Sequence, residues 1–171
     1  MGCVVTLARA AIDASGLGEA ITRRGRGGAL SDDELARAGA LDLLVLGAAA
    51  DEVRRADVGD EVRIHLGGAP PASAELVLVD AGETRRGSAL LRHVALARLA
   101  LPPRGRLAVD FGAVGVEIAQ VCLAFGASEL VGPLATKRGL PLATSRALTK
   151  RDELAGYVTR AQRTPVFVEA R

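Results

Sequence analysis

Apolar residues recur at two different spacings along this chain, and the change falls near residue 60. Before it the spacing is helical. Ser31-Asp32-Asp33-Glu34 forms a capping box, in which the serine oxygen accepts from first-turn amides while the glutamate reaches back to the serine backbone; it predicts a short helix ending near Gly39. Leu41 to Arg55 follows, with Leu43, Leu44, Leu46, Gly47 and Ala50 on one apolar arc and Asp51, Glu52, Arg54 and Arg55 in its last turns. Asp57-Val58-Gly59-Asp60 is expected to break it.

After residue 60 the pattern becomes strand plus helix. Val62 to Leu66 alternates and ends at Gly67-Gly68, with Pro70-Pro71 marking a loop. Glu75 to Val79 reads as an apolar strand closed by Asp80-Ala81-Gly82, and Ser88 to Leu101 as a helix stopped by Pro102-Pro103. Leu107 to Phe111 is the next strand, followed by a helix from Ala113 to Phe125. Glu129 to Val131 is a short strand, Arg151 to Ala161 a last amphipathic helix, and Val166 to Val168 an edge strand. Strands alternating with helices predict βαβ units and a largely parallel sheet. Four or five strands are too few for a closed eight-stranded barrel, which needs about 250 residues. The expected architecture is α/β: one domain over 1–171, with a helical segment over 1–60 and a partial (half) (β/α) barrel of βα units over 61–171.

Composition narrows the picture without naming a function. The chain is 49% hydrophobic and 25% charged, which predicts a packed core, yet only 2% aromatic, so Leu, Val and Ala must fill it. A net charge of +2 is too small to imply a nucleic-acid partner. Two cysteines, Cys3 and Cys122, argue against a disulfide framework. No apolar run reaches the ~18 residues of a membrane span. Met1-Gly2-Cys3-Val4-Val5-Thr6 formally matches an acylation pattern, but the match is short, and Cys3 to Ala11 is a poor secretory leader. A cytoplasmic location without a membrane partner is the expectation.

Four stretches carry a family likeness. The segment from Leu30 through Glu52-Val53-Arg54-Arg55 to Gly59-Asp60-Glu61-Val62 resembles the N-terminal helices and first strand of aminofutalosine synthase. It is equally similar to cyclic dehypoxanthine futalosine synthase and deazaflavin-cofactor synthase, the same group of radical S-adenosylmethionine enzymes. His93-Val94-Ala95-Leu96-Ala97-Arg98-Leu99-Ala100-Leu101 resembles the "iAvaRLmL" helix late in that barrel. The stretch from Ala119 through Phe125-Gly126-Ala127-Ser128-Glu129-Leu130-Val131-Gly132 is similar to "aqlaL-fGAnDlgG", and Arg163-Thr164-Pro165-Val166 to the C-terminal "GrtPv". The departures matter more. Where the family places its cysteine triplet, after the first strand, this chain has Gly67-Gly68-Ala69-Pro70-Pro71, and the central barrel strands are missing. The family's "GT" and following Glu is replaced by Gly132-Pro133-Leu134-Ala135-Thr136-Lys137. Two distant thiols cannot ligate an iron–sulfur cluster, so no such cofactor and no radical chemistry are expected.

The resemblance implies a non-radical remnant of a futalosine-pathway-type enzyme, a ligand-binding or accessory protein with a link to menaquinone biosynthesis. A competing reading comes from the residues themselves. His65, Asp80 and Asp110 close successive strands at the C-terminal edge of the sheet, where α/β proteins bind ligands, and could serve acid/base chemistry on a small metabolite. The structural alternative is that both aspartates cap turns. One His with two Asp is a sparse ligand set, so no metal is expected. Phe111-Gly112-Ala113-Val114-Gly115 could offer backbone amides to a phosphate or simply make a tight strand-to-helix turn. Gly25-Arg26-Gly27-Gly28, beside Arg23 and Arg24, could attract an anion or be a plain loop, and Cys122 reads as core. Because few helices are available to cover strands apolar on both faces, a homodimer completing the barrel is expected.

Overall fold

Alternation along the strands gives one sheet a predominantly apolar face and a face of mixed polarity. The computed structural model describes residues 2–66, 76–79, 87–133 and 150–169. Five strands, β1 (Glu61–Leu66), β2 (Leu76–Val79), β3 (Arg106–Asp110), β4 (Glu129–Gly132) and β5 (Thr164–Glu169), lie in the order β2-β3-β4-β1-β5. Every pair is parallel. Four helices precede them: α1 (Gly2–Ala14), α2 (Gly18–Gly25), α3 (Asp32–Gly39) and α4 (Leu43–Val58). The others are α5 (Gly87–Ala100), α6 (Phe111–Val114), α7 (Val116–Leu123) and α8 (Arg151–Arg160). This is an α/β fold with an open, all-parallel sheet behind an N-terminal helical segment. No helix among the described residues is long and apolar enough to cross a membrane.

The row Val79-Val109-Leu130-Ile64-Phe167 runs across all five strands in register. These residues pack into one cluster with Leu46 and Val53 of α4, Leu90 and Val94 of α5, Leu123 of α7 and Val158 of α8. The helices make one continuous layer there, α4 against α5, α5 against α7 and α7 against α8. The adjacent rows point the other way. They are Leu78-Ala108-Glu129-Arg63-Val166 and, nearer the C-terminal ends, Asp110-Val131-His65-Val168. Ala108 and Val131 are buried but stand outside the helix-side cluster. This second face therefore carries charge, where apolar runs on both faces were expected.

The capping box forms as predicted, Ser31 Oγ accepting from the Glu34 amide and Glu34 accepting from the Ser31 amide at 2.9 Å. Two boundaries differ. The fourth helix runs through Asp57 and Val58 to end at Gly59, which adopts a φ of 72°. Arg24 grips Asp57 with contacts of 3.1 and 2.8 Å, which holds the last turn together. The helix expected over 113–125 is split, because Gly115 at φ 91° separates α6 from α7 and Phe111 belongs to α6 rather than to β3. With so few aromatics, two of them seat against glycine. A Cβ at Gly47 would lie 2.7 Å from the Phe125 ring.

Three arginines, Arg24, Arg54 and Arg98, are completely buried. Arg98 donates to the carbonyls of Gly126 (2.8 Å) and Gly105 (2.6 Å) and to Ser128 Oγ (3.1 Å). It also lies 3.7 Å from Asp57, the carboxylate that Arg24 holds. Burial pushes the Arg98 guanidinium down to about 10, and the charge of Asp57 works against that shift.

Replacing Asp57 by Ala should strip two buried cations of their counter-charge and cost about 3–5 kcal/mol in urea unfolding. A loss below about 1 kcal/mol, the worth of a surface pair, would show that the contact is incidental.

Acid should also destabilise the fold. The Arg54 hydrogen bond holds Asp60 below its usual range, and the Arg23 hydrogen bond does the same for Glu34. Unfolding therefore takes up protons. The stability these groups contribute is present above about pH 4.5, the ordinary Glu value, and is lost as pH falls through the lowered folded-state values. Both sites are exposed, so the effect is small. The drop in unfolding free energy between pH 6 and pH 3 should shrink in the D60N/E34Q double variant.

Candidate functional site

A parallel sheet gathers all its C-terminal strand ends on one edge, so side chains far apart in sequence meet there. His65 is the penultimate residue of β1 and Asp110 the last of β3. They occupy one row on either side of Val131, their Cα atoms two strands apart, roughly 10 Å. Asp80 lies outside the described residues. Asp110 is committed to capping α6: its Oδ1 accepts from the amides of Gly112 (2.8 Å) and Ala113 (3.3 Å).

His65 turns to a residue that pattern reading passed over. Its Nε2 meets Oε2 of Glu129, while Oε1 of Glu129 accepts from Arg106 Nη1 at 3.2 Å. The Glu129 side chain is only 2% exposed, against 11% for His65 and 22% for Arg106. The three residues come from neighbouring strands β3, β4 and β1 and step diagonally: Arg106 begins its strand, Glu129 sits one row higher and His65 one row higher again. Arg63 is the direct neighbour of Glu129 in register. A buried carboxylate is thus held by a guanidinium below and an imidazole above, on the face opposite the helix-side core cluster. The signal was present in the sequence as parity. Arg106 and Asp110 fall on one face of β3, and a charged residue opens the otherwise apolar run Glu129-Leu130-Val131.

The glycine motifs have structural explanations. The Gly112 amide is used by Asp110, and a Cβ at Gly112 would lie 2.8 Å from Pro133 Cδ. At Gly132, with φ 153°, a Cβ would lie 2.7 Å from the Phe111 ring. The turn is tight because strand and helix nearly touch. Around Gly25–Gly28 a groove of about 510 Å³ is lined by Arg9, Asp13, Glu19, Arg23 and Arg26. Arg24 does not face it, being buried on Asp57. Arg9 is paired with Asp13 and Glu52, and Arg23 with Glu34 at 2.6 Å. The groove runs from Gly18 along α2 to Gly28, with the carboxylates of Asp13 and Glu19 on its wall.

Cys122 is fully buried in the helix-side core, and burial pushes its thiol up to about 12. Iron–sulfur clusters need thiolates, so this residue does not fit the ligand set of the family that the chain resembles. Among the described residues no group of three His, Cys, Asp or Glu could hold a metal ion. No protein-family model, curated protein or solved structure matches this chain.

Proposed function

We propose that this protein binds a small polar metabolite near the C-terminal edge of the sheet face opposite its core cluster, as a ligand-binding or accessory protein built on part of a (β/α) barrel and without radical chemistry. One observation carries the reading. Arg106, Glu129 and His65 form a polar line across three strands around a carboxylate only 2% exposed. Burying such charges costs several kcal/mol per ion, and apolar residues of similar volume would hold a sheet face together as well or better. Charge kept at that place, leading to the ligand-binding edge, is better explained by a ligand than by stability.

The placement of β1 beside β4 supports the lineage. In a closed barrel the last strand returns to the first, so deleting the central strands from such a barrel leaves this neighbour pair. The link to menaquinone biosynthesis rests on the resemblance alone, and neighbouring genes of that pathway would support it. The alternative, acid/base chemistry at the same edge, is favoured by the contact of His65 with Glu129.

Binding is tested by thermal shift with a panel of nucleosides, sugar phosphates and small organic acids. A true ligand at about 100 times its Kd adds ~2.7 kcal/mol, which raises Tm by about 5–10 °C in a domain of this size. The shift should vanish in R106Q. A panel at millimolar concentration that never moves the wild-type Tm would count against the reading.

We also propose that two copies pair through the open sheet. The support is its edge strand β2, where Leu78 is 45% exposed. Light scattering at micromolar concentration should give twice the 17.6 kDa chain mass; the monomer mass at every concentration would rule pairing out.

A further inference from the structure

We propose that His65 is a general base whose positioning residue is Glu129, acting on a small molecule held at the C-terminal edge of the sheet, on the face opposite the core cluster. This rests on the binding site proposed above and adds a reaction to it. Arg106 donates to Oε1 of Glu129 at 3.2 Å and fixes that carboxylate in place. Glu129 then has an oxygen to spare for Nε2 of His65. A carboxylate can only accept a hydrogen bond, so Nε2 carries the proton. The second ring nitrogen, Nδ1, bonds to none of the described residues and is the basic atom.

The diagonal arrangement places each member where its task requires. Glu129 lies in the middle of the sheet, 2% exposed, where little water weakens its field, and His65 lies one residue from the end of β1, 11% exposed. In the step, Nδ1 takes a proton from an O–H, an N–H or an acidified C–H of the bound molecule. The bonding electron pair stays on that molecule, and Glu129 stabilises the imidazolium that forms. Return of the same proton to another atom of the molecule completes an isomerisation. Atoms and electrons balance, and no oxidant, reductant or second substrate is needed.

The chain offers its own control, because its other histidine, His93, lies exposed on α5. The full-length protein is treated with diethyl pyrocarbonate at pH 7, and modification of each histidine is followed by peptide mass spectrometry. His65 is expected to react within a few-fold of the rate of His93 despite its low exposure. In E129Q, which keeps the shape and removes the charge, the His65 rate should fall several-fold when the two proteins are compared at pH 8.5. The His93 rate should not change. A His65 that stays unmodified in the folded protein, or that reacts equally fast in E129Q, would overturn the proposal and leave the pair a purely structural contact.

Should E129Q not fold, long-range proton–nitrogen correlation spectra of the wild-type protein at pH 8 decide instead. A proton on Nε2 with Nδ1 bare is the expected result, and a proton on Nδ1 overturns it. Neither measurement uses a ligand, so failure here leaves the binding reading standing. Failure of the thermal-shift panel likewise leaves the reactivity of His65 measurable.

Discussion

One carboxylate, Asp57, carries two buried guanidiniums, and the packing of the helical segment on the sheet depends on that arrangement. Arg24 reaches it from α2 and Arg98 from α5. Arg24 also donates to the carbonyl of Leu101, at 2.8 Å, and Arg98 to those of Gly105 and Gly126. The carbonyl end of α5 and the turns that enter β3 and β4 are thereby satisfied from inside. Their orphan carbonyls would otherwise be buried without donors. Only arginine, with five donors in a planar fork, can answer so many acceptors at once.

The hub lies near the N-terminal ends of β3 and β4, and the line through Glu129 climbs toward their C-terminal ends. The molecule therefore separates its two uses of buried charge. At one end, guanidiniums saturate backbone carbonyls and hold elements together. On the face opposite the core cluster, a carboxylate is presented to an imidazole near the rim. Parallel α/β sheets generally divide stability and chemistry between their two ends in this way.

How much of this was legible in sequence depends on the range of the interaction. Local signals read well: the capping box at Ser31, the strand in Val62 to Leu66, and the stops at Pro102 and Gly59 all act within a turn or two. The extension of α4 through Val58 did not, because it depends on Arg24, thirty-three residues earlier. The helix break at Gly115 was missed because a lone glycine within a helical pattern is compatible with either outcome. Of the candidate residues, His65 and Asp110 were placed correctly at strand ends. The partners each would choose, Glu129 across a strand boundary and the α6 amides, depend on strand order, and one sequence does not contain that order. Asp80 lies outside the described residues.

The interior position of β1 sets a constraint on how the protein is made. Its neighbours are β4 and β5, whose register partners lie about sixty-five and one hundred residues downstream, Arg63 facing Glu129 and Glu61 facing Thr164. A ribosome adding about 5–20 residues per second takes several seconds to supply them. During that interval both flanks of β1 present unpaired backbone, with Val62 and Ile64 lacking the cover they later receive. When β1 emerges, α1 to α4 are the described elements already made, so the nascent chain begins as a small helical bundle carrying an unsatisfied strand. Its yield in a cell is thus governed by the lifetime of that half-made state and by the chaperones that shield it, more than by the stability of the finished fold.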